Sequence, residues 1–278
     1  MRSGEVEIYD ILQSVFGLDG GAMFGIVPKP LWNKIYPADD MNRIDMAGRI
    51  FLIRYGDKNI IIETGMGDKY DEKFKKIYNI RLNNLSELLG RFSITENDIT
   101  DVIVSHLHFD HAGGLTKRVD SEVVPVYPQA RVYVQRSQLE WALKPTLKDR
   151  GSYIREDFEF LMGYKDAVIL NGEETLYDII RIVPVNGHTT GMQTVYINAG
   201  VENFIFTADL IPTARHIKLP YIMAYDINPL VTLEEKRRLL DFAVGNNSIL
   251  LFPHDIYTVA ARVKRKGEDF EISEELRL

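Results

Sequence analysis

The sequence predicts an α/β (α+β) chain built as a four-layer αββα sandwich, two sheets face to face with helices outside. Three observations point there. Each half runs strands, then helices, then strands, which suits layered packing of sheets and helices. Several strand candidates are unbroken apolar runs, such as Val102-Ile103-Val104, as expected of strands covered on both faces. Metal-ligand side chains recur just past the ends of those runs, so the ends can line one edge.

The chain has 278 residues, 45% of them hydrophobic, enough for one large domain. No repeat or low-complexity linker divides it, and residues 1–278 read as a single domain. The net charge of -7 disfavours nucleic-acid binding through phosphates. The absence of cysteine excludes disulfides and thiolate metal sites and fits a cytoplasmic protein. The N-terminus lacks a signal-peptide core, and no apolar run is long enough to span a membrane.

In order, residues 5–16 read as a first strand. Gly20, Gly21, Gly25, Pro28, Pro30 and Pro37 exclude regular structure from the next stretch, which becomes a loop carrying Met23, Phe24 and Trp32. Residues 50–55 and 59–63 form a hairpin around Gly56-Asp57-Lys58. Helical spacing marks 68–79 and 82–90, the latter stopped by Gly90. A short buried strand over 101–104 delivers a histidine-rich loop, and Gly113-Gly114 allows close backbone approach after it. A strand over 130–134 follows. Ser137-Gln-Leu-Glu140 reads as a capping box opening a helix that Pro145 ends, and 150–163 reads as helical. Strands follow at 167–170, 179–185, 193–198 and 203–207. A second capping box, Thr232-Leu-Glu-Glu235, opens a helix to about Val244, and a strand over 248–252 precedes His254.

Half of the six histidines lie in Ser105-His106-Leu107-His108-Phe109-Asp110-His111. Side chains two apart in an extended segment share a face, so His106 and His108 can hold one ion, while Asp110 and His111 in the turn can face a second. A lone histidine is more often a satisfied polar group than a ligand; this density after a buried strand reverses that preference. His188, Asp209 and His254 each follow an apolar strand, so seven ligands can converge.

His106-x-His108-x-Asp110-His111, with His188, Asp209 and His254, resembles the metallo-β-lactamase superfamily over nearly the whole chain. The resemblance implies that His106, His108 and His188 hold one metal, that Asp110, His111 and His254 hold another, and that Asp209 bridges them. Within the superfamily, residues 105–114 resemble the N-acyl-homoserine lactonases. Residues 19–32, 208–213, His216 and 223–226 are similar to one lactonase-like branch. The sequence departs from the family at three places: Glu63-Thr-Gly65 for the usual Asp-Thr-Gly, Pro212 where the best-studied lactonases carry tyrosine, and Met192 for the last histidine of Gly-His-x-x-Gly-His.

These readings lead to a dinuclear hydrolase. Two divalent ions roughly 3.5–4 Å apart share a hydroxide that attacks the carbonyl of a lactone or related ester. Zinc is the expected metal, with manganese, iron or cobalt as alternatives. Asp110 and Asp209 are the catalytic carboxylates, Asp110 passing a proton to the leaving alkoxide. Met23, Phe24, His216, Tyr221 and Tyr225 are the candidate substrate contacts; Met23, Phe24 and Trp32 suit a lid over an acyl chain, although core packing uses the same residues. For His216 a surface position and a substrate contact stand equally, and Tyr221 or Tyr225 can replace the absent tyrosine. The expected partner is a small-molecule ester or lactone, with neither nucleic acid nor membrane; a homodimer is allowed for. The rivals are a glyoxalase-II-like thioesterase and a metal-dependent binding module without turnover.

Overall fold

The structure is a computed structural model describing residues 1–278. The chain divides into two compact units, one of residues 1–15 with 48–172, the other of residues 16–47 with 173–278. Neither unit is one continuous stretch, so no linker composition marks the division. The mixed α/β class expected from the sequence holds, with one large sheet and flanking helices centred in each unit. No helix is long and apolar enough to cross a membrane.

In the first unit, Lys58–Ile62, Asp101–Ile103, Arg131–Gln135 and Ala167–Leu170 lie side by side in parallel. Arg43–Tyr55 pairs antiparallel with Lys58–Ile62 around a turn at Gly56-Asp57. One face of this sheet, including Leu52, Ile61, Val102 and Val132, packs on helical residues Leu88, Leu89, Leu139 and Phe158. The alternate residues Phe51, Ile60, Ile62 and Ile103 are buried as well, which explains the unbroken apolar runs.

The register delivers the functional loop. Ile62 pairs with Ile103 in parallel, so the residues following both strands emerge at one end. Glu63 leaves the first strand with φ +70 and Ser105 follows the second. Gly113 and Gly114 close the loop, and no other residue fits: a Cβ on Gly113 would stand 2.1 Å from the Met66 carbonyl oxygen, and one on Gly114 2.1 Å from that of Thr64.

In the second unit the sheet order is Glu174–Leu176, Ile180–Val185, Met192–Asn198, Asn203–Phe206, Ile249–Leu251, Ala260–Lys266 and Asp269–Leu276. All pairings are antiparallel except Asn203–Phe206 with Ile249–Leu251, where Phe206 faces Leu251. Asp209 and His254 lie three residues beyond those partners, so the register brings both to one sheet edge. Ile180–Val185 is two antiparallel steps from Asn203–Phe206 and runs the same way, ending on the same edge before His188.

Several local expectations need correction. The first strand runs Val6–Asp19, three residues past the expected end. The stretch expected to lack regular structure holds two short helices, Gly20–Phe24, where Asp19 accepts from the Ala22 amide, and Lys29–Trp32, where Pro30 sits in the first turn that tolerates it. Residues 68–79 and 82–90 shorten to Glu72–Ile77 and Leu85–Gly90. Residues 150–163 break into a helix, Arg155–Phe158, flanked by 3-10 turns. Both capping boxes fail. The helices start earlier, at Arg136–Leu143 and Pro229–Gly245, so Ser137 and Thr232 lie inside them. The hairpin Ala260–Lys266 with Asp269–Leu276 was not anticipated, because its exposed face is charged rather than apolar.

On the helix Pro229–Gly245, Lys236 is buried and donates to the Tyr221 carbonyl at 2.7 Å. Burial pulls its pKa down to about 7, against the opposing pull of Asp226 and Asp269. Below pH 7 the ammonium is charged in both folded and unfolded chains and its burial cost is fully felt. Between 7 and the ordinary lysine value of about 10.4 only the unfolded chain holds the proton, so the cost fades as pH rises. Wild-type stability should therefore gain on Lys236→Met by about 1 kcal/mol per pH unit from pH 7 to 10 in denaturant titrations. A difference flat across that range would show that burial does not perturb this amine.

Candidate metal centre

The first unit supplies His106, His108, Asp110 and His111, all buried. His106 and His108 follow the strand Asp101–Ile103, and Asp110 and His111 lie in the four-residue helix Phe109–Ala112. His106 Nε2 is 2.9 Å from His108 Nδ1, and the His106 and His111 rings are 4.0 Å apart between centroids. His111 Nε2 faces Asp110 Oδ2 at 3.7 Å. The His108 ring also packs edge-on against Tyr153.

The second unit supplies His188, Asp209 and His254, again buried. Asp209 Oδ1 is 3.0 Å from His254 Nε2, and its Oδ2 is 3.4 Å from His188 Nε2. Asp209 follows Ala208, which takes a left-handed φ of +48 that turns the chain at the strand end. Pro212, in the position of the familiar tyrosine, contributes its carbonyl oxygen to the His254 amide at 3.0 Å. Met192, in place of the expected histidine, opens the strand Met192–Asn198 and is fully buried.

The far nitrogens of these imidazoles reveal the chemistry. His111 Nδ1 is 2.8 Å from Glu63 Oε2, His188 Nδ1 is 2.8 Å from Asp226 Oδ1, and His254 Nδ1 is 2.8 Å from the Ala47 carbonyl. Carbonyls and ionised carboxylates only accept, so each Nδ1 carries the proton. In the neutral ring Nε2 then presents a lone pair, and in all three cases a carboxylate faces it: Asp110, Asp209 and Asp209 again. A lone pair against a carboxylate is repulsive unless positive charge, a second ring proton or a bound cation, lies between them. Nitrogen and oxygen donors of this kind suit a divalent metal, and carboxylate or carbonyl partners on the far nitrogen are the usual way a histidine ligand is oriented. The residues present therefore fit a metal. His106 adds a further donor, with its own Nδ1 2.9 Å from Ser105 Oγ.

Glu63 does two things here. Besides holding His111, its Oε1 accepts from the Ser105 amide at 2.8 Å. The glutamate in place of the usual aspartate thus reaches both the ring and the loop backbone. Sequence reasoning missed the equivalent support for His188. Thr232 Oγ1 donates to Asp226 Oδ2 at 2.8 Å, and Glu235 accepts from the Asn186 and Gly187 amides at 2.8 and 2.9 Å. Thr232 and Glu235 are the residues of the failed capping box; their polarity serves the ligand loop. No local pattern in the sequence distinguishes that use from a cap.

A metallo-β-lactamase superfamily model matches residues 44–262, well over half of the chain. The chain belongs to the metallo-β-lactamase superfamily. Among curated relatives it is 25% identical over 164 residues to the N-acyl homoserine lactonase AttM of Agrobacterium fabrum, covering 57% of this chain and 59% of that one. It is 26% identical over 175 residues to the N-acyl homoserine lactonase AiiA of Bacillus thuringiensis subsp. kurstaki, covering 63% of each. The match thus spans about three-fifths of these relatives' length. Among solved structures, a probable metal-dependent hydrolase from Staphylococcus aureus superposes with a TM-score of 0.91 at 26% identity, covering 100% of this chain and 99% of that one. AidC, described as a dizinc quorum-quenching lactonase in complex with a product, gives 0.80 at 20% identity, with 100% and 97% covered.

The candidate substrate contacts have mixed placements. Met23 and Phe24 are each 1% exposed, which makes them packing residues rather than an open lid. Phe24 stacks on Trp32 and on the His216 ring, with centroids 5.6 and 4.8 Å apart. His216 is buried, contrary to a surface reading, and both its nitrogens are engaged, Nδ1 with Thr213 Oγ1 at 2.7 Å and Nε2 with the Met23 carbonyl at 2.8 Å. Burial lowers its pKa to about 4, so the ring is neutral at ordinary pH. A side chain so occupied holds residue 23 in place and has no donor left for a substrate. Tyr221 and Tyr225 are half-buried.

Glu63→Gln and Asp226→Asn each remove one acceptor from a candidate ligand histidine. Each should weaken metal binding by about 10–100-fold while the metal-free melting temperature changes little. Metal retained after dialysis against graded chelators measures this; wild-type affinity in both variants would mean that packing alone orients the rings.

Proposed function

We propose that this chain is a metal-dependent hydrolase that opens a lactone or a related small-molecule ester at a dinuclear centre. The observation that carries the reading is the set of buried imidazole Nε2 atoms directed at Asp110 and Asp209. Superfamily membership and relatives named as N-acyl homoserine lactonases support the substrate class. In this reading His106, His108 and His188 hold one ion, Asp110, His111 and His254 hold the other, and Asp209 bridges them. Zinc is the metal best matched to the donors, and one structural neighbour is titled a dizinc enzyme.

When bound, a pair of divalent ions lowers the pKa of water to near neutrality and polarises an ester carbonyl. The chain's own residues do the rest. Glu63 and Asp226 keep a proton of His111 and His188 on Nδ1, so Nε2 is the nitrogen each ring offers to a metal. Asp110, a buried carboxylate beside His111, takes the proton of the attacking water in this reading and returns it to the leaving alkoxide. Pro212 offers no hydroxyl, and Tyr221 and Tyr225 are the candidate phenols to support the carbonyl oxygen in its stead.

Wild-type protein loaded with zinc should hydrolyse a lactone in preference to a thioester or a phosphodiester. Asp110→Asn should lower kcat by about 10²–10⁴-fold, with metal content checked in parallel. Full activity in that variant with both ions bound would remove Asp110 from proton transfer. No turnover of any of the three substrate types, with tight binding of one, would favour a binding module over an enzyme.

A further inference from the structure

A buried ion pair beside the histidine loop has no part in the chemistry above. Lys69 Nζ is 2.7 Å from Asp157 Oδ1, and the two side chains are 1% and 0% exposed. The same ammonium donates to the Gly113 carbonyl and, at 3.2 Å, to that of Thr116. Tyr70, next in the chain, places its hydroxyl 2.8 Å from Asp157 Oδ2 and 3.2 Å from the Phe109 carbonyl. Thr64 Oγ1 donates to the His111 carbonyl at 2.7 Å. The carbonyls of Phe109, His111 and Gly113, alternate residues along the ligand-bearing turn, are thus each held from residues 64–70.

The turn needs such support. A helix of four residues leaves its last carbonyls without intrahelical partners and is too short to sustain itself. Stability alone does not explain a buried lysine and aspartate, since an apolar pair of similar volume often serves as well or better. What an apolar pair cannot do is place a multi-donor ammonium on the carbonyls of Gly113 and Thr116. Asp157 fixes that ammonium, and its own segment is tied to the same strand by Thr116 Oγ1 donating to the Glu156 carbonyl at 2.8 Å. Both charged groups are sealed from solvent, so neither can touch a substrate.

We infer that Lys69, Asp157 and Tyr70 are positioning residues that set the affinity of the ion held through Asp110 and His111. The inference rests on the dinuclear reading in one respect, that these two residues bind an ion. Zinc titration of the chelator-stripped full chain tests it, with Tyr70→Phe and the double substitution Lys69→Met with Asp157→Leu. Wild type should take two equivalents. Both variants should keep one at wild-type affinity and bind the other about 10–100-fold more weakly, with metal-free melting temperatures close to wild type. If the double variant does not fold, Tyr70→Phe, which removes one hydroxyl, decides alone. Two equivalents at wild-type affinity in the variants would overturn the inference and leave the dinuclear reading standing. So would equal weakening of both equivalents together with a lowered melting temperature, the mark of a merely structural role. A wild-type chain that takes a single ion overturns both readings; two ions without hydrolysis overturns only the assignment as a hydrolase.

Discussion

A buried imidazole has two nitrogens and must satisfy both, and the candidate centre is arranged around that constraint. Glu63, Asp226 and the Ala47 carbonyl fix the proton of His111, His188 and His254 on Nδ1. Once that choice is made, each Nε2 is the nitrogen left to bind a cation, and a carboxylate stands beyond it. Acceptors behind the rings therefore determine the chemistry in front of them. Ligand identity alone would leave the tautomer open and the site undefined.

The backbone supplies this arrangement through strand register more than through loop design. Parallel pairing of Ile62 with Ile103 puts Glu63 within reach of Ser105 and the histidine loop. Parallel pairing of Phe206 with Leu251 puts Asp209 and His254 at equal distances past one edge. The non-glycine residues with positive φ at Glu63 and Ala208 lie where the chain leaves these strands, so the local backbone cost falls at positions that carry or adjoin functional carboxylates.

The sequence makes the fold class and the ligand types legible because both depend on strong local patterns: consecutive apolar residues for doubly covered strands, and dense histidine and aspartate directly after them. The supporting contacts are not local. Asp226 lies 38 residues from His188, and Glu63 lies 48 from His111. Thr232 and Glu235 fit a helix cap by spacing, yet the helix begins at Pro229 and both side chains turn to other work. Met23, Phe24 and Trp32 suit a substrate lid by composition and His216 a substrate contact, but Phe24 stacks between Trp32 and His216, and His216 spends both nitrogens within the packing. Composition shows that a side chain is aromatic or polar; only three-dimensional neighbours show whether its capacity is already taken.

The helix Pro229–Gly245 presents Thr232, Glu235 and Lys236, spaced by three and one, to Asp226, to the amides of Asn186 and Gly187, and to the Tyr221 carbonyl. Loop amides ordinarily exchange with solvent hydrogen through small local fluctuations. Those of Asn186 and Gly187 are bonded to a side chain anchored on a seventeen-residue helix, so their exposure requires either that carboxylate to let go or the helix to move. The loop carrying His188 thereby acquires part of the opening free energy of regular secondary structure. A connection that would otherwise belong to the most labile part of the chain is thereby restrained by its scaffold.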